Sequence, residues 1–248
     1  MDTENHFVST SEVMRSLTEL TEDELCFLQN NLWLIKKRIA QRLDEIEKNT
    51  FVTPLSDVQL QKQYPQFVDK LKSWRKAAKK FRYDGPVVWL VKKGFTLKNH
   101  APFAGPCYRD LEFLKDWSRL KETPTSNSLI FWIPRIVSGS KQLTLEEMIK
   151  YREDSREIYR LPSDHCDRFG SITELFALIL GLFKYTGERV PLGSDFAVSD
   201  TMFTSKTGKV FCFIAGDFDD LGGLDCDFWD CISKWKSIGF FLLGVEEI

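Results

Sequence analysis

Apolar positions follow two regimes along this chain. Up to about residue 84 they recur at helical spacing, and beyond Pro86 they gather into short runs broken by turn residues. Ser9-x-x-Glu12 and Thr21-x-x-Glu24 each fit a capping box, in which two side chains satisfy free N–H groups at a helix start. The first opens a short helix from about 10 to 19. The second opens the clearest helix in the sequence. Leu25, Leu28, Leu32, Ile35, Ile39, Leu43 and Ile46 form one continuous apolar stripe. A coiled coil needs sustained heptads, and Arg42 interrupts them, so the stripe is expected to pack within the molecule. Residues 1–50 read as a helical hairpin or arm. The competing expectation is a partner or dimer seam through Leu25, Leu28, Leu32, Ile35 and Ile39.

Residues 51–248 read as an α+β domain, in which Phe51–Ser56 serves as a linker containing Pro54. Pro65 opens a basic helix over 65–83, with Phe67, Leu71, Trp74, Ala78 and Phe81 on its apolar face. Asp84-Gly85-Pro86 ends it. The runs PVVWLV (86–91) and SLIFWI (128–133) read as buried strands, being short and rich in β-branched and aromatic residues. Residues 108–120 look helical between them. Thr144-x-x-Glu147 caps a polar helix to about Tyr159. Ser171-x-x-Glu174 caps a core helix, 172–186, that is apolar on nearly every side and stopped by Gly187. The remainder, 195–246, predicts an antiparallel meander on that helix. Its strands are Phe196–Thr204, Val210–Phe218, an alternating stretch in which Leu224, Cys226 and Phe228 point inward, and Ile238–Val245. Helices followed by strands favour α+β over a doubly wound sheet.

Composition changes this picture little. The chain has 248 residues, 43% of them hydrophobic and 28% charged, which excludes disordered and low-complexity classes. The longest uncharged apolar run, Leu175–Phe183, is far short of the roughly 20 residues of a membrane-spanning helix. The opening MDTENHF lacks a signal-peptide pattern, and six cysteines are sparse, so free thiols in the cytoplasm are expected.

Charge alters it more. The net charge of −2 conceals a basic block at 62–98, with 11 Lys and Arg against 2 Asp and Glu, and an acidic block at 195–248, with 4 against 10. Such a basic block either packs beside the acidic one or attracts polyanions. The polyanion-binding candidates are Lys72, Arg75, Lys76, Lys79, Lys80 and Arg82.

Candidate chemistry is sparse. Cys107 follows Gly-Pro and begins a helical stretch, where the dipole favours a thiolate; His100 or His165 is then the base of a cysteine enzyme. Asp217, Asp219 and Gly222 fit three positions of a calcium loop, with Asp225 beside them. Leu221 and Phe228 occupy two ligand positions, so a solvated acidic hairpin is expected instead. Zinc spacings are missing, as are a phosphate loop, a dinucleotide fingerprint and a nucleophile elbow. The sequence therefore points first to a non-enzymatic binding module without a cofactor. A Cys107 enzyme comes second and nucleic-acid or polyanion binding third.

Overall fold

Two of the long helices begin where their capping residues dictate. The computed structural model describes Thr21 and residues 50–163, 168–218 and 222–248. In chain order these contain β1 (Val52–Pro54), α1 (Asp57–Gln63), α2 (Val68–Lys80), β2 (Val88–Val91), α3 (Ala101–Ala104), α4 (Ser118–Glu122), β3 (Ser128–Trp132), α5 (Leu145–Tyr159) and α6 (Ile172–Thr186). They continue with β4 (Phe196–Thr204), β5 (Val210–Gly216), β6 (Asp225–Asp230), β7 (Ile238–Gly239) and β8 (Leu243–Glu247). Thr144 and Glu147 form a reciprocal box at the start of α5, and Ser171 and Glu174 do so for α6. Gly187 closes α6 in the left-handed conformation, with φ +75°, and donates to the Phe183 carbonyl.

The architecture is α+β, with two four-stranded sheets sharing α6. One sheet runs β1-β2-β3-β8 and is antiparallel throughout. The other runs β6-β5-β4-β7, antiparallel except for the parallel pair β4–β7. Trp89, Ile130, Trp132 and Leu243 of the first sheet share a core with α6 and with Phe213 and Ala215 of the second. This explains why α6 is apolar nearly all round. The opposite face of the first sheet, Val88, Leu129 and Phe131, shares a core with Leu71, Trp74 and Ala78 of α2. Trp74 and Phe131 lie 6.1 Å apart. Full burial of side chains this large contributes roughly 2–3 kcal/mol each.

Several expectations need correction. Phe51–Ser56 is not simply a linker, because Val52–Pro54 forms edge strand β1, paired Val52↔Val91. Proline is tolerated there, at the margin of a sheet. The basic helix is shorter than 65–83. A Ser56–Gln59 capping box opens α1, and a 3-10 turn at Pro65–Phe67 separates it from α2. Residues 108–120 are not one α-helix but a 3-10 segment, Tyr108–Asp116, followed by α4. Ile238–Val245 is not one strand, because β7 pairs with β4 while β8 pairs with β3. The chain crosses between sheets through Phe240, Phe241 and Leu242, all buried, so an apolar run continues where the strand does not. Leu224 and Cys226 are buried as expected, but in β6 Phe228 is 37% exposed and Trp229 is buried. Trp229 joins Cys212 in a core on the other face of the sheet.

Residues Phe51–Ile248 form one compact unit. Among the described residues no helix is long and apolar enough to cross a membrane.

Candidate functional site

A concavity lies along the edge of β6. The chain before the 3-10 segment is tied there by two backbone bonds. Tyr108 N–H donates to the Leu224 carbonyl (3.1 Å), and Leu224 N–H donates to the Pro106 carbonyl (2.9 Å). Gly223 permits this approach, since a Cβ there would sit 2.7 Å from the Cys107 carbonyl carbon. The segment then diverges from β6 and leaves a cleft of about 630 Å³. Four carboxylates line it: Glu112 and Asp116 from the 3-10 segment, and Asp225 and Asp227 from β6. Arg109 and Lys115 supply the opposing charge, and Tyr108 and Trp117 supply rings.

The β6 edge has its own chemistry. Cys231 N–H donates to Val210 of β5, so the strand's alternation turns the N–H groups of Cys226 and Phe228 away from β5. Asp225 Oδ1 accepts from Cys226 N–H and Asp227 Oδ1 accepts from Phe228 N–H, each at 2.7 Å. The aspartates thereby cover the donors that an additional strand would use, a common protection of sheet edges. What remains is an acceptor-rich, anionic rim. Burial raises the Asp225 carboxyl above its usual range; the Cys226 N–H works against this, and the charges of Asp227 and Asp217 add to it.

Beside the cleft the face of the second sheet carries a cluster of rings. Trp117, which also lines the cleft, lies 4.5 Å from Phe203 and 5.0 Å from Phe213. Phe228 stands edge-on to Phe203 at 5.5 Å and to Phe211 at 5.4 Å. Phe203, Phe211 and Trp117 are half-buried and Phe228 is exposed. A carboxylate-lined cleft and an aromatic surface therefore meet at Trp117. None of these rings was a site candidate in the sequence, where Phe228 was expected to point inward.

The predicted cysteine–histidine site is placed differently. Cys107 is half-buried and its backbone bridges to Leu224. It precedes a 3-10 segment, and its side chain makes no capping bond there. His100 begins α3, and its Nδ1 accepts from Thr96 N–H at 2.9 Å. The ring packs 4.4 Å from Phe51 and 5.7 Å from Phe95. Burial holds the imidazole below its usual pKa. His100 thus ties a local turn to β1. His165 lies outside the described residues, as do Asp219 and the stripe Leu25, Leu28, Leu32, Ile35 and Ile39. Cys212, Cys226 and Cys231 are buried, and burial raises all three thiols. Asp217 and Asp225 flank the acidic hairpin, and among the described residues no group of three or more ligating side chains is placed to hold a metal ion.

Much of the basic block is engaged internally. Lys70 meets Glu246, Lys72 meets Asp69, and Arg75 meets Asp57. Lys80 donates to the Ile158 carbonyl and lies over Tyr159. Lys76, Lys79 and Arg82 stand exposed. Trp74 is buried and Phe81 packs on Tyr159, so the exposed ring platforms of single-strand binding surfaces are not found on this helix.

Comparison with protein families, with characterised proteins and with solved structures finds no match to this chain.

Proposed function

We propose that this protein is a non-enzymatic binding module whose contact surface is the aromatic cluster and carboxylate-rich cleft joined at Trp117. The observation that carries the reading is this juxtaposition: Phe228, exposed on the sheet face, leads through Phe203 to Trp117 and into a cleft walled by Glu112, Asp116, Asp225 and Asp227. Aromatic centres with a charged rim are the usual anatomy of an interface, the rings supplying energy and the charges register. The charge sign selects the partner, a polypeptide segment bearing lysines or arginines around an apolar anchor. The engagement of His100 with Thr96 argues against the Cys107 enzyme. Free thiols fit a reducing, cytoplasmic setting.

The test uses two labelled synthetic peptides of the same leucine pattern, one carrying lysines and the other glutamates, followed by fluorescence anisotropy. The basic peptide should bind and weaken with added salt. Phe228→Ser and Asp227→Asn should each weaken it by about tenfold, the loss of one good contact. Equal affinity for both peptides, or indifference to both substitutions, sinks the reading.

A further inference from the structure

A second cleft, of about 420 Å³, lies where the turn after α2 meets the end of α6. Three arginines from separate parts of the chain line it: Arg82 after α2, Arg135 after β3, and Arg189 after α6. We propose that this cleft is a binding site for a phosphate group carried by a small molecule.

The two inner arginines lie over aromatic rings. Arg135 lies 5.8 Å above Tyr83, and Arg189 lies 4.6 Å from Phe218 and 5.7 Å from Phe183. A guanidinium is attracted to a ring face, and its forked donors match phosphate oxygens. Arg135 Nη1 donates to the Pro134 carbonyl, which further restrains it. Asp84 and Glu188 also line the cleft, but both are exposed while Arg135 and Arg189 are half-buried. Arg82 is exposed like the two acids, so the half-buried Arg135 and Arg189 are the less screened charges of the cleft.

Arg82 supplies an independent observation. Its φ is +51°, in the left-handed region. Arg82 N–H donates to the Lys79 carbonyl and Tyr83 N–H donates to the Ala78 carbonyl, the paired bonds of a Schellman helix end. Glycine usually fills the position that Arg82 occupies, because no Cβ is strained there. Arg160 takes the same left-handed conformation at the end of α5, so what sets Arg82 apart is that it lines a cleft with two other arginines. A volume of this size fits small phosphorylated ligands.

The experiment is calorimetric titration of the full chain at low ionic strength with inorganic phosphate, with glucose 6-phosphate and with a short oligouridylate, repeated on Arg82→Gly and Arg135→Gln. Phosphate should bind saturably at one site per chain. Arg82→Gly should weaken it about tenfold, the loss of one charge-assisted contact, while raising the thermal midpoint by relieving the left-handed strain. Opposite shifts of affinity and stability separate a ligand contact from a purely structural role. If Arg135→Gln fails to fold, Arg82→Gly decides alone, its side chain being exposed. Glucose 6-phosphate should bind more tightly than inorganic phosphate; tighter binding of inorganic phosphate contradicts an organic carrier and overturns the proposal. Lack of saturable binding, affinity unchanged in Arg82→Gly, or an oligouridylate that phosphate cannot displace overturns the proposal.

Discussion

Lys70 on α2 meets Glu246 on β8 at 2.6 Å, with each side chain only 14% exposed. The strand order places β8 beside β3, on whose outer face α2 packs, and so brings the basic and acidic blocks of the chain together. The contact supports the fold and withdraws Lys70 from external anions. Removing one partner should cost about 2 kcal/mol, between the values for exposed and fully buried pairs. Urea unfolding of Glu246→Gln, Lys70→Met and the double variant measures this. A coupling energy near zero would show that the two charges do not sense each other.

Gly181 sits in the middle of α6, where alanine usually stabilises a helix by up to about 1 kcal/mol. Here a Cβ would lie 2.8 Å from Val52 Cγ1 on β1. Gly181→Ala is therefore expected to destabilise, and Val52→Ala to restore part of the loss in the double variant. A thermal midpoint that rises in the single variant would contradict the close approach of β1 to α6.

His100 is expected to make the fold sensitive to mild acid. Burial lowers its folded pKa beneath the ordinary histidine value of 6.5, and its Nδ1 must be unprotonated to accept from Thr96. Its contribution is fully present above about pH 6.5 and is lost as pH falls through the lower folded value. His100→Gln keeps an acceptor and removes the titration. Unfolding midpoints compared at about pH 7.5 and about pH 5.5 should differ more in the parent than in this variant. An equal difference in both would assign the acid sensitivity elsewhere.

Thiol accessibility should divide the described cysteines. Burial raises Cys212, Cys226 and Cys231, which stay protonated near neutral pH, while Cys107 is half-buried. Brief alkylation of the native protein followed by peptide mapping should label Cys107 and spare the other three. Labelling of Cys212 or Cys231 at the rate of Cys107 would mean that the β5–β6 face opens readily.

Legibility in the sequence tracked the range of the interactions. Thr144–Glu147 and Ser171–Glu174 are pairs three residues apart, and both helices begin where those pairs placed them. The core helix 172–186 was legible because its apolar residues exceed one face, and it is buried between two sheets. The split of Ile238–Val245 between two sheets was not legible, because an apolar run records burial and not the strand that covers it. Pro54 disguised β1, an edge strand defined by its pairing with β2.

The candidate surfaces show the same division. By itself the sequence determined the α+β class, the helices after Thr144 and Ser171, the strands at 88–91 and 128–132, and the charge blocks, because capping, periodicity and composition act over a few residues. Tertiary structure alone decided that Trp117 meets Phe203 across 86 positions, and that Arg82, Arg135 and Arg189 share a cleft. It also decided that His100 faces Thr96 and Phe51. Ring contacts and shared clefts join residues distant in the chain, and no local periodicity encodes which distant segments a folded core draws together.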